Sequence, residues 1–339
     1  MLYNLHVLRV IAALGVVYYH ITSEAGLDLE ANIGSRGVDV FFVISGFIIA
    51  YIGSKKPDQF LVRRVVRVVP FYWAATLFVF AIVLVKPGLL HTTQADWKQL
   101  GASLAFIPRM PPHGEQFPTL VLGWSLNFEM FFYLWFALAL QIDQKRSPMI
   151  CAVLIAAYCA VIHLAGIDNA ILTFWARPIV LEFGFGIAVF YLFSIDALKP
   201  PRAVLLLLVV ASLAFIGYGE YRWFDYYRVL VAGVPSFVLV LSALLIEKHY
   251  GFTTNNKLIF LVGEASYIVY LIHPYIIYTV LRVVVGKRDL GPYMVVPLIA
   301  FLLALTSALA VLIHLYFEKP VMAFLRGKLT RTAQLGSNQ

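Results

Sequence analysis

Arg9 and His20 stand eleven positions apart in a long, largely apolar run. At about 100° per residue they share one helical face to within roughly 20°, with about 16 Å between them along the axis. An imidazole is the side chain best matched to removing a proton from a hydroxyl near neutral pH. Asp39, in Gly37-Val38-Asp39-Val40-Phe41-Phe42, opens the next apolar block at comparable depth. A carboxylate beside an imidazole fixes its tautomer and stabilises the imidazolium, so His20 and Asp39 are the expected catalytic pair. The competing reading is a structural pair that merely satisfies two buried polar groups.

Arg64 and Arg67, in Arg63-Arg64-Val65-Val66-Arg67-Val68-Val69-Pro70, are spaced to share a helix face. A guanidinium fork binds phosphate with two parallel hydrogen bonds, although a basic run beside an apolar block also serves as an anchor on anionic lipid. Glu129, in Trp124-Ser125-Leu126-Asn127-Phe128-Glu129, sits mid-way through an apolar block and needs a partner. Ser45, Arg177 and Glu182 are the remaining candidate substrate contacts, and Arg177 and Glu182, five positions apart, read equally well as a structural ion pair. His273, before Pro274, reads as a hydrogen-bonded packing residue, and His163 and His314 as structural. A His-Glu-x-x-His pair and a Gly-x-x-x-x-Gly-Lys loop do not occur, so neither a zinc peptidase nor an ATP-driven pump is indicated.

These side chains need a scaffold in which charge is expensive, and the composition supplies it. Of 339 residues, 61% are hydrophobic and 13% charged, where a soluble domain carries roughly 25% charged residues. The apolar residues come in blocks of about 17 to 25, enough to cross a hydrocarbon core of about 30 Å as helices. The blocks fall near 3-22, 37-53, 69-86, 120-140, 149-166, 177-194, 203-218, 229-246, 265-285 and 293-317. The fold class is therefore all-α, a polytopic membrane bundle of about ten transmembrane helices. The first block carries Arg9 and His20 within its apolar run, so it reads as a retained anchor.

The net charge of +8 is spread by membrane side and not gathered into a groove for nucleic acid. Segments on the side of the N-terminus hold most of the Lys and Arg, which puts both termini in the cytoplasm. Residues 1-320 form one membrane domain and 321-339 a short basic cytoplasmic tail expected to fray. The longest connection, 87-119, faces outward, carries Pro108, Pro111, Pro112 and Pro118, and has room for a short helix from Trp97 to Phe106. Cys151 and Cys159 lie in one block, where they cannot reach each other, so no disulfide follows.

Taken in order, these motifs resemble the acyltransferase 3 family of integral membrane acyltransferases. The resemblance runs from Leu8-Arg9-Val10 through His20, Gly37 to Phe47, Arg63 to Trp73, Trp124 to Glu129 and Tyr133, and Ser266-Tyr267 to His273-Pro274. It ends at Phe317-Glu318-Lys319-Pro320. It is nearest to members that acetylate exopolysaccharide. It implies a multi-pass enzyme of the bacterial inner (plasma) membrane that moves an acyl group, usually acetyl, from cytoplasmic acetyl-CoA or another acyl-CoA to a hydroxyl of a glycan acceptor. That acceptor would be a polysaccharide or a lipid-linked oligosaccharide, handled beside membrane lipids and polysaccharide assembly proteins, with no metal.

The resemblance also lends weight to Arg9 with His20 and to Arg64 with Arg67. On this reading Arg64 and Arg67 hold CoA phosphates and Arg9 guides the pantetheine arm. His20, oriented by Asp39, is the base, with Glu129 orienting acceptor or imidazole. A continuous polar passage should then join the arginines to His20. A transporter or flippase for a lipid-linked glycan uses buried charge in the same way and is the rival reading, followed by a noncatalytic scaffold of an assembly complex.

Overall fold

The computed structural model describes residues 2–26, 34–53, 55, 57–86, 93, 95–109, 117–222, 227–286 and 292–336. Among them there are helices and no strands. In chain order the helices are α1 (Tyr3–Glu24), α2 (Gly37–Gly53), α3 (Phe60–Val85), α4 (Trp97–Leu104), α5 (Gly123–Ile142), α6 (Ser147–Leu164) and α7 (Ala170–Trp175). They continue with α8 (Leu181–Ser194), α9 (Arg202–Arg222), α10 (Val234–Tyr250), α11 (Lys257–Thr279), α12 (Pro292–Ile313) and α13 (Lys319–Gly336). Seven helical stretches are long and apolar enough to cross a membrane, and Gly37–Gly53, Pro178–Ser194 and Arg202–Tyr218 are shorter apolar helices.

Three boundaries depart from the hydropathy blocks. α3 starts at Phe60 and not near residue 69, so Arg63, Arg64 and Arg67 ride on its first turns. α11 starts at Lys257, where the Asn256 side chain accepts from the backbone N–H of Leu258 and Ile259. Both early starts are polar turns that hydropathy discounts, and at α11 the Asn256 cap sustains the first turn. The chain after Pro320, expected to fray, continues as helix α13. Between α3 and α5, α4 is capped by Asp96, which also pairs with Arg109 at 2.7 Å. The Arg109 guanidinium holds the Asp96 carboxyl below the usual carboxylate range. Pro111 and Pro112 lie outside the described residues.

Apolar side chains cover much of the outer surface, with Leu164 88%, Val85 87%, Leu207 67% and Phe78 63% exposed. Water would make such a surface an aggregation hazard, whereas lipid makes it ordinary. The interior is built on α2, which is buried on most sides. Phe183 of α8 stacks between Phe42 of α2 at 4.6 Å and Phe132 of α5 at 4.4 Å.

This contact is set by two glycines. A Cβ at Gly186 would press into the Val43 carbonyl oxygen and one at Gly46 into the Phe183 carbonyl oxygen, while Gly184 has open space. Small residues let helix backbones touch in lipid, where no hydrophobic gain draws apolar helices together. Gly186→Ala should therefore force α2 and α8 apart and cost about 1–3 kcal/mol, read as a lowered thermal midpoint in detergent. Gly184→Ala should leave the midpoint unchanged, and equal effects at both positions would contradict the packing account.

Candidate active site

α2, α3, α5 and α11 enclose a cavity of about 320 Å³ that holds Arg9, Arg64, Arg67, Ser45 and Glu129 together. The elements explain the convergence. Arg64 and Arg67 lie one turn apart at the start of α3, and Arg9 comes from α1, the neighbour of α11. Arg9 Nε donates to Ser266 Oγ at 3.1 Å. Glu129 finds the partners it requires in Ser45, whose Oγ donates to its Oε1 at 3.1 Å, and in the Tyr133 hydroxyl. The cavity thus presents three guanidinium groups against one carboxylate, a cationic excess in an otherwise apolar shell of Phe41, Ile44, Ile48 and Leu126. Arg64 Nε is buried and makes no hydrogen bond. A buried unpaired donor beside a cavity is costly unless something anionic meets it there.

His20 lies in a second cavity, of about 330 Å³, with Tyr19, Ser35, Arg36, Trp124 and Arg228. The expected His20–Asp39 pair is not formed. Both Asp39 oxygens accept from Arg228, Oδ1 from Nε at 2.9 Å and Oδ2 from Nη2 at 2.9 Å. Depth alone suggested the imidazole, but helix rotation gives the carboxylate to a cation 189 positions away. The rings beside His20 are Tyr19 and His273, each with its centre 5.0 Å from the imidazole. Arg228, which sequence alone treats as an ordinary outer-side charge, also stands 5.9 Å over Trp124. The signal that would have found it is that Asp39 and Glu182 are two buried carboxylates at similar depth, which need a cation.

Arg177 and Glu182 do not form the ion pair that sequence allowed, and neither lines the two cavities. Arg177 is exposed over the Phe174 ring at 4.8 Å. Glu182 is fully buried, lies alongside Asp39 and covers Gly233. His314, read as structural, is held between acids: Nδ1 lies 2.6 Å from Glu318 Oε2 and Nε2 3.7 Å from Glu264 Oε2, while Lys319 donates to Glu264 at 2.9 Å. Cys151 and Cys159 are free and buried in α6.

The continuous passage expected between the arginines and His20 is interrupted. The arginines and His20 line two separate cavities, adjacent at Val38 and Tyr270, which line both. Tyr270 is pinned there by Ser125 Oγ at 2.8 Å and by the Leu122 carbonyl at 3.3 Å. Nothing in the hydropathy of Tyr270 marks it as a partition, because its place depends on which face of α11 meets α5.

Comparison with known proteins places the chain among acyl-transferring proteins. A family profile described as acyltransferase domain matches residues 2–316. The exopolysaccharide production protein ExoZ of Rhizobium meliloti (strain 1021) is 34% identical over 92% of this chain and 96% of its own. The acyltransferase MdmB of Streptomyces mycarofaciens is 25% identical over 94% of this chain and 91% of its own. The O-acetyltransferase OatA of Staphylococcus aureus (strain NCTC 8325 / PS 47) is 24% identical over 93% of this chain and 56% of its own length. No solved structure matches.

Proposed function

This multi-pass membrane protein belongs to the acyltransferase 3 family, and from that membership we propose that it carries acetyl, or a related acyl group, from cytoplasmic acyl-CoA to a hydroxyl of an exopolysaccharide or another cell-surface glycan. In this reading ten helices cross the bacterial inner membrane, the seven long ones and the three shorter ones, with both termini inside. The greater number of Lys and Arg on that side supports the orientation. The single observation that carries the proposal is the cluster of Arg9, Arg64 and Arg67 in one cavity whose wall is shared with the cavity of His20. Similarity to an exopolysaccharide production protein and to an O-acetyltransferase supports a glycan acceptor.

The chemistry follows from the placement. Arg64 and Arg67 hold the phosphates of the donor, the buried Arg64 Nε gaining the acceptor it lacks. Arg9, fixed by Ser266, lies deeper and guides the pantetheine arm toward the wall. Passage requires Tyr270 to give up its bonds to Ser125 and to the Leu122 carbonyl. His20 takes the proton of the acceptor hydroxyl as its oxygen attacks the thioester carbon. The C–S bond breaks, and the imidazolium returns the proton to the departing thiolate, leaving free CoA thiol and an O-acyl ester.

Purified protein in detergent should release thiol from acetyl-CoA when a glycan acceptor is supplied. A protein that only carries lipid-linked glycan across the membrane would release none, and that outcome sinks the proposal. Arg64→Ala with Arg67→Ala should weaken acetyl-CoA binding by about 10–100-fold, since two charge-assisted contacts are removed at a mouth that water reaches. Direct titration checks this, and unchanged affinity would return the two arginines to topology signals.

A further inference from the structure

The geometry points to His273 as the residue that orients His20, the role that Asp39 does not fill, and this rests on the acyl-transfer reading above. His273 of α11 is fully buried. Its Nδ1 lies 3.1 Å from the Val269 carbonyl oxygen. A carbonyl can only accept, so Nδ1 carries the proton and Nε2 holds the lone pair. Pro274 reinforces this state, because it has no N–H with which to occupy the Tyr270 carbonyl, and that oxygen stays beside the His273 ring. Nε2 is buried and makes no hydrogen bond.

The nearest ring facing it is His20, whose centre is 5.0 Å away with the planes tilted by 46°. The two imidazoles are not hydrogen-bonded to each other here, yet at this centre separation ring nitrogens turned toward each other come within a hydrogen-bond length, roughly 3 Å. A modest rotation of His20 lets its N–H donate to His273 Nε2, which leaves the other His20 nitrogen with its lone pair turned toward the cavity. Apart from the Ser35 hydroxyl, which also lines the cavity, the groups around the pair are committed or lack the required chemistry. Asp39 is bound to Arg228, and Arg36 and Arg228 are cations that accept nothing. The Tyr270 hydroxyl is held by Ser125, and Tyr19 meets the imidazole edge to face. His273 therefore acts on the reaction through His20 and touches no substrate.

Two readouts test this in the full-length protein labelled with ¹⁵N-histidine, the His20 signals being identified by their loss in His20→Gln. Wild-type His20 should show a single tautomer, one protonated and one bare ring nitrogen. His273→Leu should average the two signals, and His273→Gln, whose side-chain oxygen can accept the same bond, should keep them apart. In the transfer assay His273→Leu should lower kcat by about 10–100-fold with KM for acetyl-CoA unchanged, and His273→Gln should recover most of it. A tautomer mixture in the wild-type protein overturns the proposal without any variant, as do unshifted signals in His273→Leu. The spectra need no acyl transfer, so a correct tautomer pattern in a protein that releases no thiol would sink the acyltransferase reading and leave the orientation of His20 standing.

Discussion

His20→Ala should lower acyl transfer by about 10²–10⁴-fold, the usual contribution of a positioned general base, equivalent to roughly 2.7–5.5 kcal/mol of barrier. The protein should remain folded and inserted. His20 is only partly buried at the edge of a cavity, so its removal leaves no deep void. Acetyl-CoA affinity should also persist, because the arginines proposed to bind the donor line the other cavity. The combination is diagnostic: thiol release collapses while titration of the donor and the thermal midpoint stay at wild-type values. Transfer retained in His20→Ala removes the imidazole from the mechanism, and a loss of both affinity and midpoint would assign it to packing.

The largest effect on stability is expected at Arg228. Asp39 and Glu182 are both fully buried, and Arg228 bonds both oxygens of Asp39. Arg228→Met leaves two carboxyl groups in a desolvated interior with their main cation gone. Breaking a buried pair from one side costs about 3–5 kcal/mol, since the remaining charge stays desolvated and unpaired. The variant should therefore accumulate poorly in the membrane or melt well below wild type. Neutralising the acids alongside it, in Arg228→Met with Asp39→Asn and Glu182→Gln, should restore much of the midpoint, because amides tolerate burial better than carboxylates. If Arg228→Met alone melts with the wild type, the cluster does not hold the outer half of the bundle together.

Much of this was legible in the residues because lipid simplifies the physics. A backbone in hydrocarbon must close its hydrogen bonds within a helix, so the apolar blocks mark the helices directly. The same reasoning picks out Arg9, His20, Asp39, Glu129 and Glu182 as costly residues that need reasons. The rotation of each helix about its axis is what the blocks withhold. The sequence sets Asp39 at a depth comparable to that of His20, yet its carboxylate bonds Arg228 and not His20. His273 and Tyr270 occupy one apolar run and differ by three positions, so composition cannot say that the first backs His20 and the second divides two cavities. The start of α3 was missed for a related reason: Arg63, Arg64 and Arg67 lower local hydropathy, although arginine is a good helix former.

The Tyr270–Ser125 contact has one more consequence. A bacterium stores energy as a proton gradient across the membrane, and a continuous file of water through a bundle of this kind would discharge it. With Tyr270 standing between the two cavities, the proposed mechanism would bring reactants together from opposite faces without an open water file for protons. On the proposed mechanism the ring yields only while the pantetheine arm reaches past it, so any proton leak would be confined to those moments of each turnover.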